Sequence, residues 1–595
     1  MAEFKQVVIT KKGQALIAKL MSGSGTVEFT SIAVADGQYK DDQLEGLTNL
    51  TGIRQSTKVS KVTPSNDVAI TVEGAVSNQD LKAGYNMNIL GLYAKDPNEG
   101  EILFAVSNAN VSGYMPPFNG KTTSGAFFKL TVTVGNASNI QLQVDPSAVA
   151  TIGDITALEA EITDLKNVIG YNESDVYGVE ADFKNSVYTR LAGAKDRTPG
   201  QSFDKLIPWQ RKRCILADDG TVLAYYGEQG YSETGFTTAP LAINGIQYPE
   251  GTPAQVMVEQ PRFYYKVTPL VTERIEDRGR KGSHLRKARY YISATPHAGF
   301  KIHPAFVQNG VEKNYIYLSA FEACGFNSTE KKYNLTDEQT IDFEKDTLSS
   351  IAGAKPATGL TQSLTRENAR KIAQKRGAGW QLSLIQSVAA TQLLFLIEYG
   401  NFDSTKEIGA GISTKVDDGT TAMTELTGAT STLGNKSGSH ETGTGYSAIT
   451  YRGEENFWGN CWTFIDGANS RGTKGICQMW VADHNYTDQK TDGDYAEVNF
   501  NYWGPVTNGG GGYISAFGYD HNFDWLFLPT EVSGSSAKPV GDYFWANSDF
   551  GWSTFGLGGR WSSSVGSGVF CLALNGALGA RHRDYGSRLV FLPAN

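Results

Sequence analysis

The first 208 residues of this 595-residue chain contain neither cysteine nor tryptophan; all five cysteines lie at or beyond Cys214 and all ten tryptophans at or beyond Trp209. Cys214, Cys324, Cys461, Cys477 and Cys571 are widely spaced, with no CxxC pair, and the seven histidines show no HExxH-type spacing. A disulfide framework or a structural zinc site needs closer clusters, so free buried thiols and no metal or cofactor are expected. No apolar run approaches the ~20 residues of a membrane span, so no membrane insertion is expected. The opening MAEFKQVVITKKGQ has no long apolar core, which predicts synthesis in a cytoplasm without signal-peptide export. There is no basic excess either: 53 Lys+Arg stand against 62 Asp+Glu, which disfavours a nucleic-acid partner held by its phosphates. With 40 % apolar and 19 % charged residues the chain has what large cores require.

The uneven use of Cys and Trp points to two modules of different origin. The N-terminal one, residues 1–147, reads as mostly β. A strand from Phe4 to Ile9 precedes a helix with Thr10 as N-cap and Leu16, Ile17, Leu20 and Met21 at helical spacing. Strand-like runs follow at Val27–Ala35, Ile53–Val62, Val68–Val72, Met87–Tyr93, Ile102–Val106, Ala126–Val134 and Ile140–Val144, separated by Asp-Gly and Asn-Asp breakers. No grouping of acids, histidines or nucleophiles there suggests catalysis.

Residues 150–170 change character. Ile155, Leu158, Ile162, Leu165 and Ile169 alternate steps of three and four, an a/d seam for self-association. Ile at a with Leu at d leans by itself towards two strands, and the seam covers barely two heptads. A strap between identical chains and an amphipathic helix packed on its own chain are the two readings; the position between dissimilar modules favours the strap.

From Tyr171 the sequence reads as α+β. Strands are expected at Val222–Tyr226, Gln255–Val258, Arg262–Val267, Tyr290–Ser293 and Tyr315–Ala320. A helix from Thr365 to Arg376 should end at a left-handed Gly377, and another from Ser383 to Tyr399 should bury one face through Ile385, Val388, Ala389, Leu393 and Leu396 before Gly400. Beyond it the chain reads as loops and short strands. Asp218-Asp219-Gly220 reads as a hairpin turn rather than a calcium fragment, and Gly509–Gly512 as a flexible loop near the tip. The last hundred residues, rich in Gly, Ser and aromatics with about one charge in eight, suit a binding surface or, equally, an all-β domain with many glycine turns.

Three stretches carry a resemblance. GEENFWGNCWTFIDG (453–467), with Gly459-Asn460-Cys461-Trp462-Thr463-Phe464, is similar to the core strand of the formylglycine-generating-enzyme-like branch of the C-type lectin fold. Residues 557–591 resemble that family's closing segment, with a Gly-Gly-x-Trp turn at Gly558–Trp561, a strand through Phe570 and Asn575, and Gly-x-Arg at Gly586–Arg588. Together with GWQLSLIQSVAATQLLFLIEYG (379–400), and with the lead-in stretches at 203–227 and 299–306, they look like receptor-binding tips of bacteriophage tail fibres. They are also similar to variable proteins of diversity-generating retroelements. The opening VITKKGQALIAKLMSGSGTVEFTSIAVADG (8–37) resembles the N-terminal tail-collar domain that attaches such fibres to the baseplate.

The resemblance implies a multidomain virion protein: a mostly β attachment domain at 1–147, a short trimeric coiled coil at 150–170, a β-rich lead-in at 171–300, and an α+β C-type lectin-like domain at 301–595. It is also what tips the seam to three strands. The implied partners are two copies of the same chain, tail or baseplate proteins, and a bacterial surface receptor, glycan or protein, at a segment of about 543–588. The side chains expected on display are Trp545, Asn547, Asp549, Trp552, Phe555, Arg560, Ser563, Ala573, Asn575, His582, Arg583, Asp584 and Tyr585, over a core of Trp462, Phe464, Leu557, Val569, Leu589 and Phe591. Aromatics would supply contact area, and Asn, Asp and Arg directional hydrogen bonds.

The rival class is an enzyme. An oxidase of the resembled branch would need two close cysteines after the Gly-Gly turn, where this chain has Ser562, Ser563 and Ser564 and only Cys571 nearby. Iron-dependent relatives would need grouped histidines, which are missing. A polysaccharide depolymerase would need paired acids, but Glu454 and Glu455 are adjacent on a strand and should point to opposite faces. A non-catalytic adhesin is therefore expected, with a polysaccharide depolymerase as the alternative that release of oligosaccharides from host polysaccharide would reveal.

Overall fold

The computed structural model describes residues 3–21, 27–66, 69–120, 123–133, 175–277, 279–360, 363–489, 491, 493–503, 510–549 and 551–593. The expected seam at 150–170 and the strand expected at Ile140–Val144 lie outside them. The chain divides into two compact units, Met1–Lys166 and Asn167–Asn595.

In the first unit the alternation of apolar residues is realised as strands, most of them longer than their apolar runs. Tyr85–Asp96 and Gly100–Met115 pair along most of their length, because backbone pairing continues past the last buried side chain. With Glu28–Ala35 and Ile53–Lys58 they form an antiparallel sheet. The single strand expected from Phe4 to Ile9 is instead two, Glu3–Phe4 and Val8–Ile9, both on the edge of Gly100–Met115. Ile53–Val62 also divides: Ile53–Lys58 stays in that sheet, while Lys61–Asn66 joins Ala69–Ser77 and Gly125–Thr133 in a second one. The helix Lys11–Met21 starts as expected, Thr10 Oγ1 accepting the Gly13 N–H at 3.1 Å while donating to the Leu103 carbonyl at 2.6 Å. Leu16, Ile32, Ile70, Phe104 and Leu130 close one core from the helix and both sheets.

The second unit is organised around the helix Ile385–Tyr399. One apolar face was expected; instead every residue from Ile385 to Glu398 is buried. Several of its polar side chains are matched by partners brought from far along the chain. Thr391 Oγ1 donates to Glu454 and accepts from Arg211, Gln392 donates to the Val569 carbonyl, and Glu398 holds the Arg452 guanidinium at 2.7 Å. The helix ends at Gly400, whose left-handed φ of 66° is the expected cap. The preceding helix runs Arg366–Gln374 under a Thr365 cap, and its C-cap is Lys375 in right-handed conformation rather than Gly377.

The three largest sheets of this unit frame the helices. One carries Val222–Tyr225, Lys212–Leu216, Gln255–Pro261, Tyr315–Ser319, Leu589–Phe591 and Trp380–Leu382 in that order, so the lead-in and the last strand of the chain are hydrogen-bonded in one sheet, and no structural boundary falls at residue 300. Its first hairpin turns at Asp218-Asp219-Gly220 as expected, with Gly220 N–H on the Ala217 carbonyl. A second contains Val176–Asp182, Ser283–Ser293 and Tyr264–Arg274. The third, of nine strands, includes Ile476–Ala482, Trp462–Thr473, Gly551–Leu557, Leu572–Ala577, Tyr543–Ala546 and Gly511–Tyr513. The 12-residue strand Trp462–Thr473 is longer than the short strands expected after Gly400. Gly511 and Gly512 belong to a strand rather than a flexible loop: a Cβ on Gly511 would lie 2.2 Å from the Phe544 carbonyl oxygen, so glycine permits that pairing. All five cysteines are free and buried, as the spacing predicts.

Candidate functional site

The strand beginning at Trp462 runs parallel to Tyr585–Gly586, with the Trp462 N–H on the Asp584 carbonyl at 2.8 Å. Tyr585 stacks on Trp462 at 6.0 Å between centroids and leans on Phe464 at 5.0 Å. Alternation along Tyr543–Ala546 sends Phe544 and Ala546 into the main core and leaves Tyr543 and Trp545 half-buried on the other face. Trp545 meets Trp462 edge to face at 5.4 Å. Along Leu572–Ala577 the same alternation buries Leu572 and Leu574 in that core and turns Ala573 and Asn575 to the Trp545 side.

The Gly-Gly-x-Trp turn supplies the rim. Gly558 and Gly559 both have positive φ, 90° and 87°, and a Cβ on Gly559 would lie 2.4 Å from Ser567 Oγ, so the turn needs glycine. Trp561 points inward and is buried with Ile412 and Ala448, while Arg560, Ser562 and Ser563 face out. The result is a depression of about 440 Å³ lined by Trp462, Trp545, Arg560, Ser562, Ser563, Ala573, Asn575, Gly576, His582, Asp584 and Tyr585. Its polar wall is an Arg560–Asp584 ion pair, with Arg560 also 3.5 Å from Asp417.

Eight of the thirteen side chains expected on display therefore share one depression: Trp545, Arg560, Ser563, Ala573, Asn575, His582, Asp584 and Tyr585. Of these, Ala573 and Tyr585 are buried in strands covered by neighbouring aromatics, and Asp584 is buried in the turn before Tyr585, where it pairs with Arg560. Five lie elsewhere. Phe555 is fully buried in the main core, on the strand face opposite the depression's aromatics. Asn547 is buried and holds a turn, accepting from Asp549 N–H at 3.0 Å and donating to Ser553 Oγ at 2.9 Å. Asp549 is exposed on that turn, outside the depression. Trp552 packs on Trp480 at 5.6 Å with the Arg471 guanidinium over its ring. Arg583 is bound to Asp417 and Asp418. The six expected core positions are all buried, although Trp462 also reaches the depression.

Sequence reasoning missed Glu322, which holds the 453–467 motif through three buried contacts and feels the charge of Arg588 in the closing segment. Its carboxylate accepts Asn460 Nδ2 at 2.6 Å, Asn456 Nδ2 at 3.1 Å and Cys461 Sγ at 3.1 Å. Burial pushes the Glu322 carboxyl up to about 7, against the pull of Arg588 and these donors. Arg588 itself donates to the Glu455, Ser319 and Ala320 carbonyls. An acid in FEACGF carries no local signal of this role, since its partners lie more than 130 residues away.

The adjacent acids Glu454 and Glu455 are consumed by the fold on opposite sides, Glu454 by Arg211 and Thr391, Glu455 by the Gly428 and Thr430 N–H groups. Among the described residues no group of three or more His, Cys, Asp or Glu side chains is placed to hold a metal ion, and no helix is long and apolar enough to cross a membrane.

No curated protein matches the chain. Among solved structures it is similar to the Major Tropism Determinant P3c variant, at 11 % identity and a TM-score of 0.22 over 64 % of this chain and 71 % of that one. The U1 variant gives 12 % identity and the same TM-score and coverage. The M1 variant gives 12 % identity and a TM-score of 0.21 over 72 % of this chain and 86 % of that one. Residues 1–153, about a quarter of the chain, match the family model described as phage tail-collar fibre protein, N-terminal.

Proposed function

We propose that the chain is a non-catalytic receptor-binding fibre of a phage tail or a phage-derived particle. Its N-terminal unit attaches to tail or baseplate proteins. The seam at Ile155, Leu158, Ile162, Leu165 and Ile169 holds three copies together, and the lectin-like second unit meets a bacterial surface receptor, glycan or protein, at the depression around Trp545. The observation that carries the reading is the tail-fibre domain at residues 1–153, joined in one chain to a separate unit with an aromatic and polar depression. The polar groups there converge on a concave surface, as recognition sites require, and three copies would turn weak single sites into high avidity. Diversification of the closing segment by a retroelement is part of this reading. It predicts a reverse-transcriptase gene and a near-copy of the segment in the neighbouring DNA.

Adsorption of fluorescently labelled protein to a panel of bacterial strains tests it. Arg560→Ala, Asn575→Ala and His582→Ala together should abolish adsorption to every strain that binds the wild type. The tryptophan-fluorescence melt should keep a cooperative folded transition, the loss of the part-buried Arg560–Asp584 pair adding to shifts of about ±0.5 kcal/mol at the other two positions. Normal adsorption by this variant would remove the depression from the receptor face. Replacing Ile155, Leu158, Ile162 and Leu165 by Ser should lower the mass seen by light scattering; an unchanged trimer mass would assign assembly to other parts of the chain.

A further inference from the structure

The loop from Lys415 to Glu425 lies well over a hundred residues before the closing segment, yet that segment's own side chains hold it in place. Arg583 pairs with Asp417 and, at 3.3 Å, with Asp418, donates to the Thr421 carbonyl, and lays its guanidinium 5.5 Å from the Trp561 ring centroid. Arg560, on the wall of the depression, reaches Asp417 at 3.5 Å. Two backbone bonds and one to a side chain tie both ends of the loop to the same motifs: Lys415 N–H to the Trp561 carbonyl at 2.7 Å, Ser564 N–H to the Ser413 carbonyl at 2.7 Å, and Glu425 N–H to Asn460 Oδ1 at 2.7 Å. Asp418 braces the turn itself by accepting the Thr420 and Thr421 N–H groups at 2.8 and 2.9 Å. Between the pinned Lys415 and Asp417 stands Val416, 87 % exposed. Two residues beyond Ser563, on the segment bonded to Ser413, Val565 is 57 % exposed.

From this geometry we propose that the loop Lys415–Glu425 is a second wall of the receptor face and that Asp417 is its positioning residue, acting through Arg560 and Arg583. The proposal rests on the reading of the depression as the receptor site. A surface ion pair alone fixes little in water, but here one carboxylate is shared by two guanidiniums, one of which lies over the ring of a buried tryptophan. A shared, partly shielded pair holds its geometry better than an isolated one because each added contact orders side chains that are already ordered. The consequence is that a change at Arg560 or Arg583 alters the receptor face twice, once by removing a contact and once by releasing a loop that carries Val416.

Hydrogen exchange and adsorption on the full-length protein decide it. Asp417→Asn with Asp418→Asn, and separately Arg583→Ala, should speed exchange of the amides at 415–425 by about tenfold or more while leaving those of Leu572–Ala577 unchanged. On a strain that binds the wild type, Val416→Asp should weaken adsorption by about tenfold with an unaltered tryptophan melt. Exchanging the charges, Asp417→Arg with Arg583→Asp, should recover part of the protection lost when Asp417→Arg or Arg583→Asp is made alone. Unchanged exchange in the Asp417→Asn/Asp418→Asn variant overturns the positioning role. Normal adsorption by Val416→Asp removes the loop from the face. If the Arg560, Asn575 and His582 variant loses adsorption while Val416→Asp keeps it, the depression stands and only the second wall falls; if both adsorb normally, the receptor reading itself has failed.

Discussion

The two units hold themselves together by different means. In the first, buried positions are mostly aliphatic and aromatic, the ion pairs Lys5–Asp41 and Lys12–Glu99 sit on the surface, and the buried Asp96 is met by a part-exposed Lys19. In the second, charge goes inside: Arg452 with Glu398 beside Tyr451, Arg211 with Glu454, Arg366 and Arg370 with Asp488, and Glu322 among amides and a thiol. A core of apolar side chains tolerates a lost methyl better than a buried network tolerates a lost partner, because an orphaned charge keeps its full desolvation cost. The first unit is specified by pattern. The second is specified by pairing between segments far apart in the chain.

The sharpest way to break this contrast is Arg452→Ala. It strands Glu398 in the core, and a loss of about 3–5 kcal/mol is expected. Because every tryptophan lies at or beyond Trp209, urea unfolding followed by tryptophan fluorescence reports on the second unit alone. A loss below about 1 kcal/mol would mean that water reaches Glu398 and that the pair is no core element.

Acid and base should act on the second unit from opposite sides. Burial raises Glu322 to about 7, so its contribution is complete below the ordinary value of 4.5 and is lost as pH rises from there to about 7. Burial lowers His303 to about 3, so its contribution is present above 6.5 and is lost as pH falls towards 3. Its Nδ1 accepts the Ala305 N–H, which the neutral ring permits. Melting by tryptophan fluorescence from pH 3 to 8 should show both limbs. Glu322→Gln should flatten only the high-pH limb, and His303→Gln only the low-pH one; a limb that survives its own substitution belongs to another group.

Smaller effects are expected in the first unit. Thr10→Ala removes the helix cap and should cost about 1 kcal/mol, read as faster exchange of the Gly100–Met115 amides, since Thr10 also donates to Leu103. Lys12→Ala, which removes only the exposed pair with Glu99, should change the same exchange by less than about 1 kcal/mol. If Lys12→Ala costs as much as Arg452→Ala, the contrast between the units does not hold.

How legible each unit was follows from the same difference. Glu28–Ala35 and the Thr10 cap could be read directly because alternation and capping are local signals. The division of Ile53–Val62 between two sheets left no mark in the apolar pattern. In the second unit the Gly558–Trp561 turn and the Gly400 cap were readable, since positive φ calls for glycine. Phe555 and Trp552 were misplaced because an aromatic residue on a strand looks alike whether its face meets the main core, a neighbouring tryptophan or solvent.

By itself, then, the sequence determined the strand-rich character of both ends, the Thr10 and Gly400 caps, the Gly558–Gly559 turn, the free thiols and eight of the side chains that line the depression. Only the tertiary structure decided which of the expected residues share it. It sent Phe555 inward, made Asn547 a brace and Arg583 a clip, and drew in Asp417 and Glu322 from outside the closing segment. The physical reason is reach. Conformational preference acts over a few neighbouring residues, whereas burial, ion pairing and the shape of a concave surface depend on which distant segments the fold brings within a few ångströms.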